Sequence, residues 1–195
     1  MGIEYELKFR ARPEIFPAIL AQYPGKIQEY QMETTYYDTP SGALSARHYT
    51  LRRRMENGES VCTLKTPAIG MGRRELELSC EDIQKALPIL CEMGAPEVFG
   101  KAIGEGIVAV CGAKFHRIAI TLEYPDCCLE LALDQGSLSG GGSTVPLCEV
   151  EVELKRGQTE AADIFALELA NQYGLQPESR SKFRRALALY KGETV

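Results

Sequence analysis

Cys148-Glu149-Val150-Glu151-Val152-Glu153-Leu154-Lys155 alternates charge and hydrocarbon with a period of two, the pattern of a β-strand with one polar and one apolar face. Its polar face stacks Glu149, Glu151 and Glu153 at i, i+2 and i+4, with neighbours about 6.5–7 Å apart from the strand rise. Like charges this close weaken a sheet unless water or a counter-charge neutralises them. The strand therefore belongs to a sheet with a charged face that needs a partner.

Similar alternation runs along much of the chain. Residues 3–9 set Ile3, Tyr5, Leu7 and Phe9 against Glu4, Glu6 and Lys8. Residues 26–38 make a long polar and aromatic strand that ends in the turn signal Tyr36-Tyr37-Asp38-Thr39-Pro40-Ser41-Gly42. The runs 48–56 and 59–66 are joined by Asn57-Gly58, a strong hairpin signal. Further strands are expected at 73–80, 115–124, 127–134 and 146–155, with Pro125-Asp126 as a second tight connection. Eight hairpin-linked strands imply an antiparallel arrangement.

Helical periodicity is confined to four stretches. They are 13–23, weakened by Pro17; 81–93, opened by Ser79 or Glu81-Asp82; 159–173; and an amphipathic stretch from 179 to about 190. In the third, Thr159 is expected to cap, Ile164, Leu167, Leu169 and Ala170 to form the apolar stripe, and Gly174 to stop the helix. Residues 95–112 have no readable type, and Ser139-Gly140-Gly141-Gly142-Ser143 reads as a low-complexity loop.

The charged faces carry two kinds of group. Glu4, Glu6, Glu130, Asp134 and the Glu149 strand supply carboxylates, which suit Mg²⁺ or Mn²⁺. Lys8, Arg52, Arg54, Lys65, Arg73 and Arg117 supply the ammonium and guanidinium groups that chelate phosphate oxygens. Alternation alone favours a sheet whose charged face simply meets water. A polyanion held by the bases and bridged to the acids through metal would explain both halves.

Composition narrows the setting. The chain has 195 residues and 21.5 kDa, with 45% hydrophobic and 25% charged residues, which suits one globular domain rather than a disordered chain. A net charge of −5 argues against electrostatic coating of nucleic acid. No apolar run approaches the ~20 residues of a membrane helix. The acidic start lacks a signal-peptide pattern, and Leu7 sits where a myristoylation motif wants Ser or Thr. Of seven cysteines without a C-x-x-C pair, most sit in apolar runs and read as small buried hydrophobes, in a reducing, cytoplasmic setting. His48 and His116, the two histidines, are not expected to act as bases.

The charged motifs also resemble, in order, those of the CYTH family, the triphosphate tunnel metalloenzymes. The resemblance is carried by Glu4-x-Glu6-x-Lys8, Tyr36-Tyr37-Asp38-Thr39-Pro40 with Leu44, Leu51-Arg52-x-Arg54, Thr63-Leu64-Lys65, Arg73-x-Glu75-x-Glu77, Arg117, Asp134, Glu149-x-Glu151-x-Glu153-Leu154-Lys155 and Ser181-Lys182-x-x-Arg185. The run Leu131 to Gly136, followed by Pro146-Leu147-Cys148-Glu149, is most similar to the inorganic triphosphatase branch.

What the resemblance implies is a mainly β (α+β) fold, an eight-stranded antiparallel β-barrel tunnel with charged faces inward and helices packed outside. It implies Glu4, Glu6, Glu149, Glu151 and Glu153 as catalytic metal ligands, with Asp134 as a further ligand. It implies Lys8, Arg52, Arg54, Lys65, Arg73, Arg117 and Lys182 as the triphosphate-binding set. Glu75, Glu77, Glu130, Lys155 and Arg185 would line the tunnel, orient water or help hold a second metal.

The implied activity is Mg²⁺- or Mn²⁺-dependent hydrolysis of inorganic triphosphate. Class IV adenylate cyclase, thiamine triphosphatase (with Tyr36, Tyr37 or Tyr49 as a platform) and a non-catalytic polyphosphate or nucleotide sensor are the rivals. The expected partner is a small polyanion, with neither nucleic acid nor membrane, and the protein a monomer or homodimer. The chain ends before a CHAD domain, often found after CYTH, could begin, so 1–195 is expected to be a single CYTH domain. Two positions depart from the family pattern. Arg53 replaces an apolar residue and suggests an exposed face or partner contact; Ala186 replaces a glycine and loosens the placement of Lys182.

Overall fold

Alternating strands with one hydrocarbon face fold here into a single antiparallel sheet. The computed structural model describes residues 5–67 and 73–195; Glu4, among the expected metal ligands, lies outside them. The strands are β1 (Tyr5–Arg10), β2 (Lys26–Asp38), β3 (Thr50–Glu56), β4 (Glu59–Pro67), β5 (Arg73–Ser79), β6 (Val108–Glu123), β7 (Cys128–Gly140), β8 (Ser143–Arg156) and the two-residue β9 (Gln176–Pro177). Their order is β5-β4-β3-β2-β6-β7-β8-β1-β9, every pair antiparallel. Between the described residues no ladder joins β5 to β1 or β9. The sheet nevertheless curls until side chains from both flanks meet across one cavity. The helices are α1 (Phe16–Gln22), α2 (Ile83–Glu92), α3 (Glu97–Ala102), α4 (Thr159–Tyr173) and α5 (Lys182–Tyr190).

Most apolar strand faces point outward, beneath helices. Phe9, Ile120, Leu131, Val150 and Val152 pack under α1 and α4, while Leu51, Leu64 and Leu76 pack under α2 and α3. The fifth helix is different. Phe183, Ala186 and Leu189 pack on Tyr36, Ala113, Phe115, Leu138 and Leu147, which share the strand faces of the charged residues. The concave face is therefore charged at one end and apolar at the other. Accordingly, α5 buries a stripe at i, i+3, i+4 and i+7 that is charged at Lys182 and Arg185 and apolar at Ala186 and Leu189.

Turns follow the local sequence. Asn57 and Gly58 both take positive φ, 50° and 92°, in the β3–β4 hairpin. The expected loop at 139–143 is instead a tight β7–β8 hairpin, since Gly141 and Gly142 take φ of 57° and 79° at no steric penalty. Asp38 of the Tyr-Tyr-Asp-Thr-Pro run is buried and accepts from the Thr39, Leu44 and Ser45 amides at 2.8, 2.8 and 3.1 Å, which fixes the turn into β3.

Other expectations need correction. The unreadable stretch at 95–112 holds α3 and the first residues of β6. On α4 the N-cap is Gln158 rather than Thr159. The buried residues of α4 are Ala162, Ala166 and Leu169, leaving Ile164 and Leu167 at 60% and 62% exposure. Small alanines let the helix lie close to the leucine- and valine-rich sheet, a consideration that residue hydrophobicity alone does not rank. Arg53 is half-buried, and its guanidinium donates to the Glu81 carbonyl at 3.0 Å, in the turn leading into α2.

Candidate functional site: a charged cavity in the curve of the sheet

Strand register assembles the acidic side. Glu6 of β1 faces Glu153 of β8, which on its other side faces Glu130 of β7. One row along, Lys8 faces Glu151; in the next, Arg117, Asp134 and Glu149 run across β6, β7 and β8 to Arg10. The opposite flank brings Arg52 and Arg54 from β3, Lys65 from β4 and Arg73 from β5. Together they bound a cavity of about 300 Å³, a volume suited to a small ligand.

All seven residues expected to bind phosphate, Lys8, Arg52, Arg54, Lys65, Arg73, Arg117 and Lys182, line this one cavity. Of the expected metal ligands, Glu6, Glu151 and Glu153 line it too. Glu149 and Asp134 are fully buried behind its wall. Neither histidine reaches it: His48 sits in a turn with φ 58° and His116 pairs with Glu29 at 3.0 Å.

The buried end is an ion network. The Lys182 ammonium lies 2.5 Å from Glu149, 2.8 Å from Asp134 and 2.8 Å from Glu151. Arg117 is bidentate to Asp134, both contacts 2.7 Å, and donates to Glu151 at 2.5 Å. Arg185 donates to Glu149. Phe115 lies beneath both cations, its ring centroid 5.1 Å from Lys182 and 5.7 Å from Arg117. Burial alone would raise the Glu151 carboxyl, but Lys182 and Arg117 hold it well below the usual range. Burial alone would lower the Lys182 and Arg117 pKa values, yet the surrounding carboxylates push both groups upward. In Glu149 burial prevails, raising its pKa despite Lys182.

The basic end has its own carboxylates. Glu75 sits 3.5 Å from Arg52 and 3.2 Å from Lys65, and Arg54 is 3.3 Å from Glu56. Arg73 reaches the Thr50 hydroxyl at 3.4 Å, and Glu77 accepts from Thr63 at 3.1 Å. The Arg52 Nε is buried without an acceptor. Burial, followed by the neighbouring Arg54 charge, lowers the Arg52 pKa. On the acidic flank, Lys155 contacts Glu153 at 2.7 Å and Glu130 at 3.5 Å.

Some lining groups escaped the sequence reading. Ser179, Ser181 and Arg184 reach the cavity beside Lys182. The available signal was Ser181, whose hydroxyl caps α5 by accepting from the Arg184 amide at 3.2 Å; it marks a first helical turn whose side chains fan around one opening. Tyr36 lines the cavity while its ring packs on Phe183 at 5.0 Å. Ala186 is buried against the β7–β8 hairpin and leaves Lys182 on the cavity wall.

Among the described residues one carboxylate trio is close enough for a hard divalent cation. Asp134, Glu149 and Glu151 bring one oxygen each within 4.8 Å of one another, but lysine and arginine already occupy that trio. Glu6, Glu151 and Glu153 line the cavity and are carboxylates of the kind that suits Mg²⁺ or Mn²⁺, each now paired with a lysine or arginine. All seven cysteines are free thiols, and burial pushes Cys111 up to about 12 and Cys62 and Cys148 up to about 11.

A curled antiparallel sheet with carboxylates and bases facing one cavity defines the class, and comparison with known proteins agrees. The chain belongs to the CYTH domain family, whose model matches residues 2–187. It is 29% identical over 195 residues to the inorganic triphosphatase of Haemophilus influenzae, covering 95% of this chain and 54% of that protein. The chain thus spans about half the length of that curated relative. Among solved structures, the PH1819 protein of Pyrococcus horikoshii OT3 superposes with a TM-score of 0.65 at 24% identity, covering 96% of this chain and 99% of that one. A Hippeastrum protein, HpAC1, named as an adenylyl cyclase and described as having a dominant triphosphatase activity, gives 0.62 at 19% identity, covering 100% and 98%. These structures share the fold. No described helix is long and apolar enough to cross a membrane.

Proposed function

We propose that this chain hydrolyses inorganic triphosphate to pyrophosphate and phosphate with the help of a divalent metal. The observation that carries this reading is the charge of the cavity. Among its described lining residues eight basic side chains face three carboxylates. A row of phosphate oxygens matches that surplus of ammonium and guanidinium groups through charge-assisted hydrogen bonds. The similarity to the Haemophilus inorganic triphosphatase supports the choice of substrate.

In this reading Lys8, Arg52, Arg54, Lys65, Arg73, Arg117 and Lys182 bind the phosphate chain. Glu6, Glu151 and Glu153, with Glu4, would hold Mg²⁺ or Mn²⁺, which when bound withdraws charge from phosphoryl oxygens and acidifies water. Asp134 and Glu149 act as fixed counter-charges that set Lys182 and Arg117. Glu75 holds Arg52 and Lys65 at their separation. The water oxygen bonds to the terminal phosphorus as its bond to the bridging oxygen breaks. Pyrophosphate leaves with that electron pair, and the water proton passes to solvent. Such a reaction asks mainly for positioning and charge stabilisation, which fixed guanidinium groups provide. The reading includes a reducing cytoplasmic setting, consistent with seven free thiols, and a monomer or homodimer.

Phosphate release from tripolyphosphate, ATP and thiamine triphosphate, each with Mg²⁺, Mn²⁺ or EDTA, tests it. Fast metal-dependent release from tripolyphosphate, with ATP slow, is expected. Cyclic AMP and pyrophosphate from ATP would replace this reading with a cyclase. Phosphate binding without turnover in any tube would replace it with a sensor.

A further inference from the structure

Outside the cavity a second charged knot centres on Glu178, between β9 and α5. It belongs to none of the motifs that carry the family resemblance, yet only 6% of it is exposed. One carboxylate oxygen receives Arg10 Nε at 2.7 Å and Nη2 at 2.6 Å. The other receives the Arg180 amide at 2.9 Å and its Nε at 3.4 Å. Arg185 Nε stands 3.9 Å away, and the Glu178 amide donates to the Lys8 carbonyl at 2.9 Å.

These contacts straddle one seam. Arg10 and Lys8 belong to β1, whereas Arg180 and Arg185 flank Lys182 on the link and first turns of α5. The cavity wall on the two sides of the seam is Lys8 and Lys182. A relay also runs inward, because Arg185 bonds Glu149 and Glu149 contacts Lys182.

We propose that Glu178 is a positioning residue for phosphate binding: it clamps the start of α5 to β1 and so holds the Lys182 ammonium on the cavity wall. Lysine is a point charge on a flexible stem, so its placement depends on where its helix is docked. Gly140 and Gly141 let the later turns of α5 approach the β7–β8 hairpin closely; Glu178 performs the docking at the other end. The inference rests on the triphosphate reading above.

The test is a double-mutant cycle. Glu178→Gln, and Arg10→Gln/Glu178→Gln so that the Arg10 guanidinium is not left facing an amide, are each made in wild-type and Lys182→Gln backgrounds. Tripolyphosphate affinity is measured by calorimetry in EDTA, and KM and kcat with metal. The expected result is affinity weakened about tenfold and KM raised in step, with kcat within about twofold, and no further loss once Lys182 is Gln. Three results would overturn the proposal: affinity unchanged from wild type, a loss that persists undiminished in the Lys182→Gln background, or kcat falling together with the melting temperature. Failure of the unsubstituted protein to bind or hydrolyse tripolyphosphate with metal present would instead overturn the underlying substrate reading, and this inference with it.

Discussion

Glu6 stands directly opposite Glu153 across the β1–β8 ladder, an arrangement that opposes folding unless a cation lies between the two carboxylates. Lys8 answers Glu6 at 2.7 Å and Lys155 answers Glu153 at 2.7 Å, so some repulsion is relieved from each side. Replacing Glu6 by Gln should therefore leave the melting temperature nearly unchanged, within about 0.5 kcal/mol, while tripolyphosphate turnover falls on the order of 10²-fold or more. Parallel melts and hydrolysis assays separate the two, and unfolding would show the carboxylate to be structural. Glu178 makes the opposite case. Burial alone would raise its carboxyl, but the Arg180 amide and the Arg10 guanidinium hold it at about 2. A depressed carboxylate contributes stability above its unfolded pKa of about 4.3, and that stability is lost as pH falls toward the folded value. Melting temperature should drop steeply between about pH 4.3 and 2 in the wild type, and Glu178→Gln should flatten that part of the profile.

At the scale of elements, α5 decides the site because it lies on the concave face rather than outside the sheet. Its approach is set by Gly140, where a Cβ would come within 2.4 Å of the Ala186 carbonyl. Valine at 140 must push the helix away, which should lower stability by about 1–3 kcal/mol in a urea titration. The same substitution should weaken tripolyphosphate binding, because Lys182 moves with its helix. Binding that stays at the wild-type level would mean that Lys182 is held by its carboxylates independently of α5. The helix α4 shows the converse of this dependence. Its large residues Ile164 and Leu167 face outward, since the space left above the sheet accepts alanine.

Across the whole molecule, the cavity draws on chain positions from Glu6 to Arg184, so a ligand that fills it ties together nearly the full length of the sequence. A polyanion bound to the native state alone should stabilise it by about 2.7 kcal/mol at one hundred times its dissociation constant. Thermal melts with tripolyphosphate in EDTA should shift upward by several degrees, and the shift should shrink as added salt screens the cavity charge. No shift at low salt would argue against a phosphate-binding cavity. The strands and which residues share a face were legible in the sequence, because a period of two is a local property that needs no knowledge of neighbours. The charged motifs likewise carried the family, and with it the direction in which those faces turn. Three things were not legible. That the concave face turns from charged to apolar past Arg117, Asp134 and Glu149 emerged only when α5 was seen packed there. That Asp134 and Glu149 are sealed behind the wall, while Glu6, Glu151 and Glu153 open onto the cavity, depends on how far the sheet curls. The partners of Glu178 come from positions as distant as Arg10. Alternation by itself determined which side chains lie together on a face. Only the tertiary structure decided which of them meet solvent, ligand or a buried counter-charge, because burial and ion pairing depend on distances between segments that no local pattern encodes.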